Sequence, residues 1–282
     1  MKAVDVRDLR KSYDGVEAVR GIDFDIREGE VFGLLGPNGA GKTTTLEILV
    51  GHRARDAGEV RVLGTDPQQA DSSWRGRIGV VPQSGELFPN LTVREHLDLF
   101  AGYYEKPRSP ADVLRLVGLE QKADAKTRTL SGGQQRRLDL GVALIGDPEL
   151  IFLDEPTTGF DPGARRAAWE TIRSMRSLGK TVLLTTHYIE EAQRLADRVA
   201  VLRKGEIVAS GTPAELIAKA PATVIRYLLN GKEVTFQTED PTRALHELTG
   251  EALRDGFDLE ALEVHRATLE DVYLELTEEK PE

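Results

Sequence analysis

Apolar and polar residues along the first 215 positions follow two patterns, one typical of buried strands and one typical of amphipathic helices. Strands buried on both faces have unbroken apolar runs, and such runs occupy 31–35, 150–153 and 182–184. Residues 22–26 alternate strictly between apolar and polar, which predicts a half-buried antiparallel strand. A helix is predicted at 189–195. The order of the segments predicts an α/β core with an antiparallel β subdomain.

In residues 92–127 the succession of predicted strands is interrupted by apolar residues at helical spacing. Thr92 and Glu95 have the spacing of a capping box ahead of an apolar run, and Pro107 and Pro110 break the pattern before it resumes. A further helix opens at 135–138, which Ser131 can cap. We therefore predict a helical subdomain, about residues 84–145, inserted into the core.

The last sixty or so residues form a separate pattern of short strands and helices. The predicted elements are a hairpin turn at Asn230-Gly231, strands at 234–237 and around Leu262 and Val264, and helices at 242–248 and after Thr268. The sequence therefore predicts two domains, a core at 1–215 and a small α+β domain at 220–282.

Composition narrows the class of protein. The formal net charge of −10 argues against a chain that mainly binds nucleic acid or an anionic lipid surface. The absence of cysteine excludes disulfides and thiolate metal sites. The start of the chain has no apolar signal core, and no uncharged apolar stretch reaches about 18 residues. We expect a cytoplasmic protein that does not span a membrane by itself.

The strongest chemical signal is the stretch Gly36-Pro37-Asn38-Gly39-Ala40-Gly41-Lys42-Thr43, which is followed by Thr44. It lies between a predicted strand and a predicted helix, where glycines let backbone N–H groups surround phosphate oxygens. Lys42 supplies positive charge near the terminal phosphates, and the Thr43 hydroxyl can bind Mg²⁺. The alternative is a glycine-rich turn with a chance Lys-Thr after it. The spacing favours a nucleoside triphosphate site.

Polar residues also follow several predicted strands, where open α/β sheets hold their ligands. Gln83, His187 and the pair Asp154 and Glu155 all occupy such positions. Asp154 can hold Mg²⁺ through water, and Glu155 can accept a proton from a water that attacks the γ-phosphate. Taken singly, these residues have ordinary alternatives: a turn glutamine, solubilising charges and a structural histidine. Their repetition favours one shared site.

Two further features extend this site. Tyr13 precedes the glycine loop, and an aromatic ring there can stack on a nucleobase, although a packing or turn role is equally compatible. The run Leu130-Ser131-Gly132-Gly133-Gln134 can expose backbone donors at the positive end of the next helix. It is a candidate second anion site, whose alternative is an ordinary helix cap with flexible glycines.

Together these residues resemble the ATP-binding subunits of ATP-binding-cassette (ABC) transporters over residues 1–215. The matching segments are Walker A at Gly36 to Thr43 with Thr44, the Q-loop at Gln83, the signature at Leu130 to Gln134, Walker B at 150–154, the catalytic glutamate at Glu155, the D-loop at Gly159 to Pro162 with Asp161, the switch histidine at His187, and the adenine-stacking aromatic at Tyr13. Phe160 departs from the more usual leucine, and this apolar replacement leaves the motif intact.

The resemblance implies an active ATPase that uses ATP and Mg²⁺. It also implies a head-to-tail dimer with a second ATPase subunit, in which Ser131, Gly132, Gly133 and Gln134 of one copy complete the nucleotide site of the other. Thr43, Gln83 and Asp154 are the implied metal ligands, and Glu155, His187, Lys42 and Gln83 the implied catalytic residues. Asp161 joins the cofactor-binding set.

The segment from Thr268 to Thr277 resembles a narrower group, the ATPase subunits of ABC-2 type exporters. That resemblance implies a separate integral membrane permease, a location on the cytoplasmic face of the cell membrane, and efflux of a substrate, as in multidrug resistance. The alternatives are an importer ATPase and a soluble cassette ATPase outside transport.

Overall fold

The computed structural model of the chain describes residues 1–83, 85, 87–218, 223–229, 231–266 and 268–277. The chain divides into two compact units, Met1–Ser210 and Gly211–Glu282. The boundary predicted between residues 215 and 220 lies further along the chain, and residues 219–222 are outside the described ranges. Among the described helices, none has both the length and the apolar content needed to cross a bilayer.

The first unit combines two sheets with helices. Its strands are β1 (Lys2–Tyr13), β2 (Val16–Arg27), β3 (Val31–Leu35), β4 (Ala57–Val62), β5 (Ile78–Val81), β6 (Leu150–Asp154), β7 (Thr181–Thr186), β8 (Arg198–Arg203) and β9 (Glu206–Gly211). Its helices are α1 (Lys42–Leu49), α2 (Ser72–Arg75), α3 (Val93–Ala101), α4 (Pro110–Leu116), α5 (Gly132–Ile145), α6 (Pro162–Ser177) and α7 (Ile189–Leu195).

The central sheet has the strand order β5-β6-β7-β3-β8-β9, and β3 pairs in parallel with both β7 and β8. Every residue of β3, β6 and β7 is buried, as the apolar runs predict. Successive side chains of a strand point to opposite faces. Phe152 accordingly packs in a core with α1 and the second sheet, whereas Ile151 and Leu153 pack in a core with α5 and α6. The parallel strands therefore end together at one edge, which positions the site.

The second sheet of this unit is antiparallel, with the order β2-β1-β4. The alternation at 22–26 predicts only a short strand here, but β1 and β2 each run for 12 residues. Several register shifts interrupt their pairing, which explains why the alternation in the sequence breaks although the strands continue. Val4, Val6 and Leu9 face the core.

The helical subdomain contains α3, α4 and α5, whose apolar side chains meet in one core that includes Leu97, Val113 and Leu138. The predicted capping box of Thr92 and Glu95 is present at the start of α3. Helix α5 begins at Gly132, three residues before the predicted opening at 135, because its cap at Ser131 lies immediately before the glycines. Ser84 and Glu86, at the predicted start of the subdomain, lie outside the described residues.

The second unit contains β10 (Thr223–Leu229), β11 (Lys232–Thr238), β12 (Glu260–Arg266), α8 (Pro213–Ile217), α9 (Pro241–Asp255) and α10 (Leu269–Thr277). Its sheet is antiparallel, with the order β11-β10-β12. The sequence pattern did not predict the central strand β10, and the helix predicted at 242–248 is shorter than α9. Gly231 has a φ of 74° between β10 and β11, while Asn230 of the predicted turn lies outside the described residues. The fold of this unit is thus α+β, as expected.

Candidate functional site

The loop between β3 and α1 packs so closely that two of its positions require glycine. A Cβ atom at Gly36 would lie 2.3 Å from the Leu202 carbonyl oxygen, and one at Gly41 would lie 2.4 Å from the Ala18 carbonyl oxygen. Gly41 also has a φ of 104°, which disfavours any residue with a side chain. The loop therefore brings its backbone N–H groups to the N-terminus of α1, an arrangement suited to phosphate.

Lys42 is buried against this loop. Its Nζ donates to the carbonyl oxygens of Gly36 at 2.8 Å and Pro37 at 3.0 Å, and it lies 3.2 Å from Glu155 Oε1. A buried ammonium needs such partners, because an unpaired charge in the interior costs several kcal/mol. The lysine charge is therefore held between the phosphate loop and the end of β6.

The Glu155 carboxylate is the meeting point of three other predicted site residues. Its Oε2 lies 3.2 Å from His187 Nδ1 and accepts from Gln83 Nε2 at 3.5 Å, while Oε1 contacts Lys42. Thr158 Oγ1 also donates to Oε2, at 3.1 Å. Burial acts to raise the pKa of Glu155, but its contacts, chiefly with Lys42, outweigh burial and leave that pKa below its ordinary value. The ionised carboxylate is a proton acceptor at neutral pH.

The backbone turns sharply at Glu155. Its φ of 45° lies in the left-handed region, which costs a residue with a side chain on the order of 1–3 kcal/mol. The Glu155 N–H donates to both the carbonyl oxygen and the hydroxyl of Thr185, at 3.1 and 3.0 Å. These two hydrogen bonds to the neighbouring strand β7 hold the strained turn in place. The side chains of Asp154 and Glu155 therefore point in different directions.

Asp154 and Thr43 place two oxygen atoms side by side. Thr43 Oγ1 donates to Asp154 Oδ1 at 3.3 Å, and Thr185 Oγ1 donates to the same oxygen at 2.5 Å. Hard oxygen ligands suit Mg²⁺, which usually takes one or two carboxylates and completes its shell with water and substrate phosphate. Among the described residues, no group of three or more His, Cys, Asp or Glu side chains is arranged to hold a metal ion.

A cavity of about 390 Å³ joins these groups. Its lining consists of Tyr13, Ala18, Asn38, Gly39, Gly41, Lys42, Thr43, Thr44, Gln83 and Glu155. The Tyr13 ring is 36% exposed and has the Arg53 guanidinium 5.1 Å from its centroid. The structure therefore brings the aromatic ring, the phosphate loop with Lys42, and the side chains of Gln83 and Glu155 around one space, which His187 does not line.

The predicted second anion site lies elsewhere. Ser131 Oγ accepts from the Gln134 N–H at 3.3 Å, and Gln134 Oε1 accepts from the Ser131 N–H at 3.0 Å, so both side chains cap α5. A second cavity, of about 490 Å³, is lined in part by Ser131, Gly132, Gly133, Asp161, Gln83 and Glu155. Within one chain, the Ser131 segment does not line the cavity of the phosphate loop.

Asp161 acts locally as the cap of α6. Its Oδ1 accepts from the backbone N–H groups of Gly163 and Ala164, at 2.8 and 3.0 Å. The hydrogen bonds from Ala164 and Gly163 lower the pKa of Asp161. Its place on the second cavity puts it beside the Ser131 segment rather than beside the phosphate loop.

Arg136 is a buried residue of this region that the motifs in the sequence did not single out. Its guanidinium donates to the carbonyl oxygens of Pro82, Asp154 and Pro156, at 2.5, 2.9 and 3.1 Å. It thereby ties α5 to the ends of β5 and β6. The sequence signal that could have identified Arg136 is its helical spacing. Arg136 lies on the same helical face as the apolar Leu140, which predicts that it is buried.

A phosphate loop between a parallel strand and a helix, with an acidic strand end beside it, defines a P-loop NTPase. A family model described as ABC transporter matches residues 19–158. The Nod factor export ATP-binding protein I of Paraburkholderia xenovorans (strain LB400) is 42% identical, over 98% of this chain and 97% of that protein. This chain belongs to the ABC transporter family, as an ATPase subunit whose ATP hydrolysis is coupled to transport.

Solved structures agree with this assignment. The ATP binding subunit of an ABC transporter has a TM-score of 0.71 and 25% identity, covering 98% of this chain and all of that one (100%). An ATP-binding cassette solved as a dimer in a post-hydrolysis state with ADP and Pi has a TM-score of 0.67 and 28% identity, over 74% of this chain and 98% of that one. The predicted P-loop fold is confirmed.

Proposed function

We propose that two copies of this chain bind ATP and Mg²⁺ head to tail, and that hydrolysis powers export through a separate membrane permease. The observation that carries the proposal is that the phosphate loop and the Ser131 segment line different cavities of one chain. In a head-to-tail pair, the Ser131 segment of one copy completes the nucleotide site of the other, and the reverse holds by symmetry. The similar ATP-binding cassette solved as a dimer with ADP and Pi supports the pairing of two copies.

Each copy supplies the groups for hydrolysis. Glu155 orients the attacking water and accepts its proton, and His187 contacts the γ-phosphate. Lys42 neutralises phosphate charge, and the Tyr13 ring stacks on the base. Thr43 and Asp154, with Gln83, would hold Mg²⁺, which supplies charge neutralisation to the phosphates when bound. Catalysis in this scheme is positioning and electrostatics.

Replacement of the glutamate tests the scheme. Glu155→Gln should keep ATP binding, nearly abolish phosphate release and trap a dimer that size-exclusion chromatography with light scattering detects. The matched control is Glu149→Gln, because Glu149 precedes β6 at its opposite end and pairs with Arg77 on the surface. Phosphate release by Glu155→Gln at the wild-type rate would refute the role of Glu155.

The direction of transport and the partner belong to the same proposal. Relatives of this chain carry export in their names, and we extend that direction to this protein. An ABC-2 type permease would then hold the ATPase at the cytoplasmic face of the cell membrane. A tagged pull-down from membranes in mild detergent, read by mass spectrometry, should recover a polytopic chain without a cassette of its own. Recovery of ribosomal or repair proteins alone would contradict the transport partner.

A further inference from the structure

Glu191 is a fully buried carboxylate on α7 to which neither the sequence analysis nor the proposed mechanism gives a role. Burial raises the pKa of Glu191, against the opposing effect of the neighbouring Thr186, Thr157 and Trp169 side chains. Buried glutamates are rare, because removing the group from water costs free energy that its partners must offset. The partners of Glu191 therefore indicate what it does.

Two of these partners come from the chain segment that follows Glu155. Thr157 Oγ1 donates to Glu191 Oε1 at 2.8 Å, and Trp169 Nε1 donates to the same oxygen at 3.0 Å. Thr157 is fully buried in the turn between Glu155 and Asp161, and Trp169 lies on α6, which Asp161 caps. One oxygen atom of α7 thus holds both the turn and the helix that follows it.

The N-terminal end of α7, where Glu191 lies in the first turn, leads directly to the nucleotide site. The helix starts at Ile189, two residues after His187, whose Nδ1 lies 3.2 Å from Glu155 Oε2. A second link crosses the same junction, because the Arg165 guanidinium of α6 stacks on the Tyr188 ring at 4.3 Å. The positions of His187 and Glu155 therefore depend on how α7 packs against α6 and the turn.

We propose that Glu191 is a positioning residue, which fixes His187 relative to Glu155 and Asp161 by accepting hydrogen bonds from Thr157 and Trp169 at once. The inference rests on the hydrolytic roles proposed for Glu155 and His187. It extends that proposal to a buried residue that lines neither cavity of the site. Misplacement by about 1 Å of groups that must meet a substrate can slow a reaction by up to about a hundredfold.

The acceptor oxygen, rather than the negative charge, carries this role. An apolar side chain would leave the Thr157 hydroxyl and the Trp169 N–H without an acceptor in a dry interior. Glutamine has nearly the shape of glutamate and keeps an oxygen that can accept both bonds. Comparison of Glu191→Leu with Glu191→Gln therefore separates the acceptor from the volume and the charge.

The experiment is steady-state ATP hydrolysis by the purified full chain, with kcat and KM measured separately. Glu191→Leu should lower kcat about tenfold and leave KM for ATP within about twofold, because ATP binding uses other residues. Glu191→Gln should retain kcat within about twofold. The matched control is Glu190→Gln, since the neighbouring Glu190 is exposed and pairs along the helix with Arg194, and it should behave as wild type.

Thr157→Val tests the same contact from its other side and keeps the volume. It should lower kcat without changing KM, and its effect should not multiply with that of Glu191→Leu, since both variants remove the hydrogen bond between Thr157 and Glu191. If thermal melting shows that Glu191→Leu does not fold, Thr157→Val alone decides. A wild-type kcat in the folded variants, or a Glu191→Gln enzyme as slow as Glu191→Leu, overturns the inference.

Glu155→Gln measured alongside keeps the two proposals apart. If it loses activity while the Glu191 and Thr157 variants keep theirs, only the positioning role fails. If Glu155→Gln itself turns over at the wild-type rate, the hydrolytic proposal fails.

Discussion

Lys42 Nζ lies 3.2 Å from Glu155 Oε1, in a buried ion pair that joins the phosphate loop to the end of β6. Both side chains are less than a tenth exposed, so solvent screens the attraction between the two charges only weakly. In the proposed mechanism, the phosphates of ATP compete with Glu155 for the lysine charge. Nucleotide binding would then release the carboxylate toward the attacking water.

Removal of the lysine charge should weaken nucleotide binding. A hydrogen bond to a charged group contributes roughly 1.5–3 kcal/mol, so Lys42→Met should raise the Kd for ATP by about ten- to a hundredfold. Isothermal titration calorimetry of the full chain measures this change. Lys180→Met is the control, because Lys180 pairs with Asp147 away from the cavity. An unchanged Kd for Lys42→Met would exclude contact between Lys42 and phosphate.

Mixed dimers should reveal whether each nucleotide site uses two chains. Lys42→Met damages the phosphate loop, and Ser131→Arg blocks the opposing segment, so either variant alone should be inactive. An equal mixture forms dimers of which about half carry one intact site, so about a quarter of wild-type activity should return. Phosphate release before and after mixing is the measurement. A mixture as inactive as its components would rule out the head-to-tail arrangement.

Asp139 should make stability depend on pH in mildly acidic solution. Burial raises the pKa of Asp139 from 3.8 to about 6, with Arg136 opposing the shift. The folded state therefore binds more protons between about pH 4 and pH 6, and the free energy of unfolding falls as pH rises through that window. Between about pH 4 and pH 6, the free energy of unfolding of the wild type should fall by at most about 3 kcal/mol relative to that of Asp139→Asn.

Urea unfolding at several pH values measures this difference. Asp112→Asn provides the control, because Asp112 is an exposed residue on α4 and pairs with Arg115 on the same helix. Stability curves of wild type and Asp139→Asn that run parallel from about pH 4 to about pH 6.5 would contradict the shifted pKa of Asp139.

Loss of the Arg136 guanidinium should destabilise the core where α5 meets the strand ends. Arg136→Met leaves the carbonyl oxygens of Pro82, Asp154 and Pro156 without their donor, and it removes the cation that faces the partly buried Asp139. The free energy of unfolding should fall by about 3 kcal/mol. Denaturant unfolding should show a change of less than about 1 kcal/mol for Arg137→Met, whose bonds to the carbonyl oxygens of Val117 and Gly118 are part-buried and exposed. Equal effects of the two would contradict the prediction.

Local patterns in the sequence determined much of this protein on their own. The phosphate loop is recognisable because the eight consecutive residues of its motif form one local turn. Helix α7 begins and ends where it is predicted, at Ile189 and Leu195. The strand-end positions of Gln83, Glu155 and His187 also follow from sequence, since parallel strands end at one edge of a sheet. Strand β10 escaped prediction because an apolar run with one arginine has no clear period.

The tertiary structure alone decided which residues meet. The ion pair of Lys42 with Glu155 spans more than a hundred positions of the chain, and no periodicity reports such a contact. The same holds for the three carbonyl bonds of Arg136 and for the burial of Glu191 beside Thr157 and Trp169. Hydrophobic spacing specifies which face of an element turns inward, because that depends on near neighbours. The residues that an inward-facing side chain contacts depend on how distant elements of the chain pack together, and only the folded chain determines that packing.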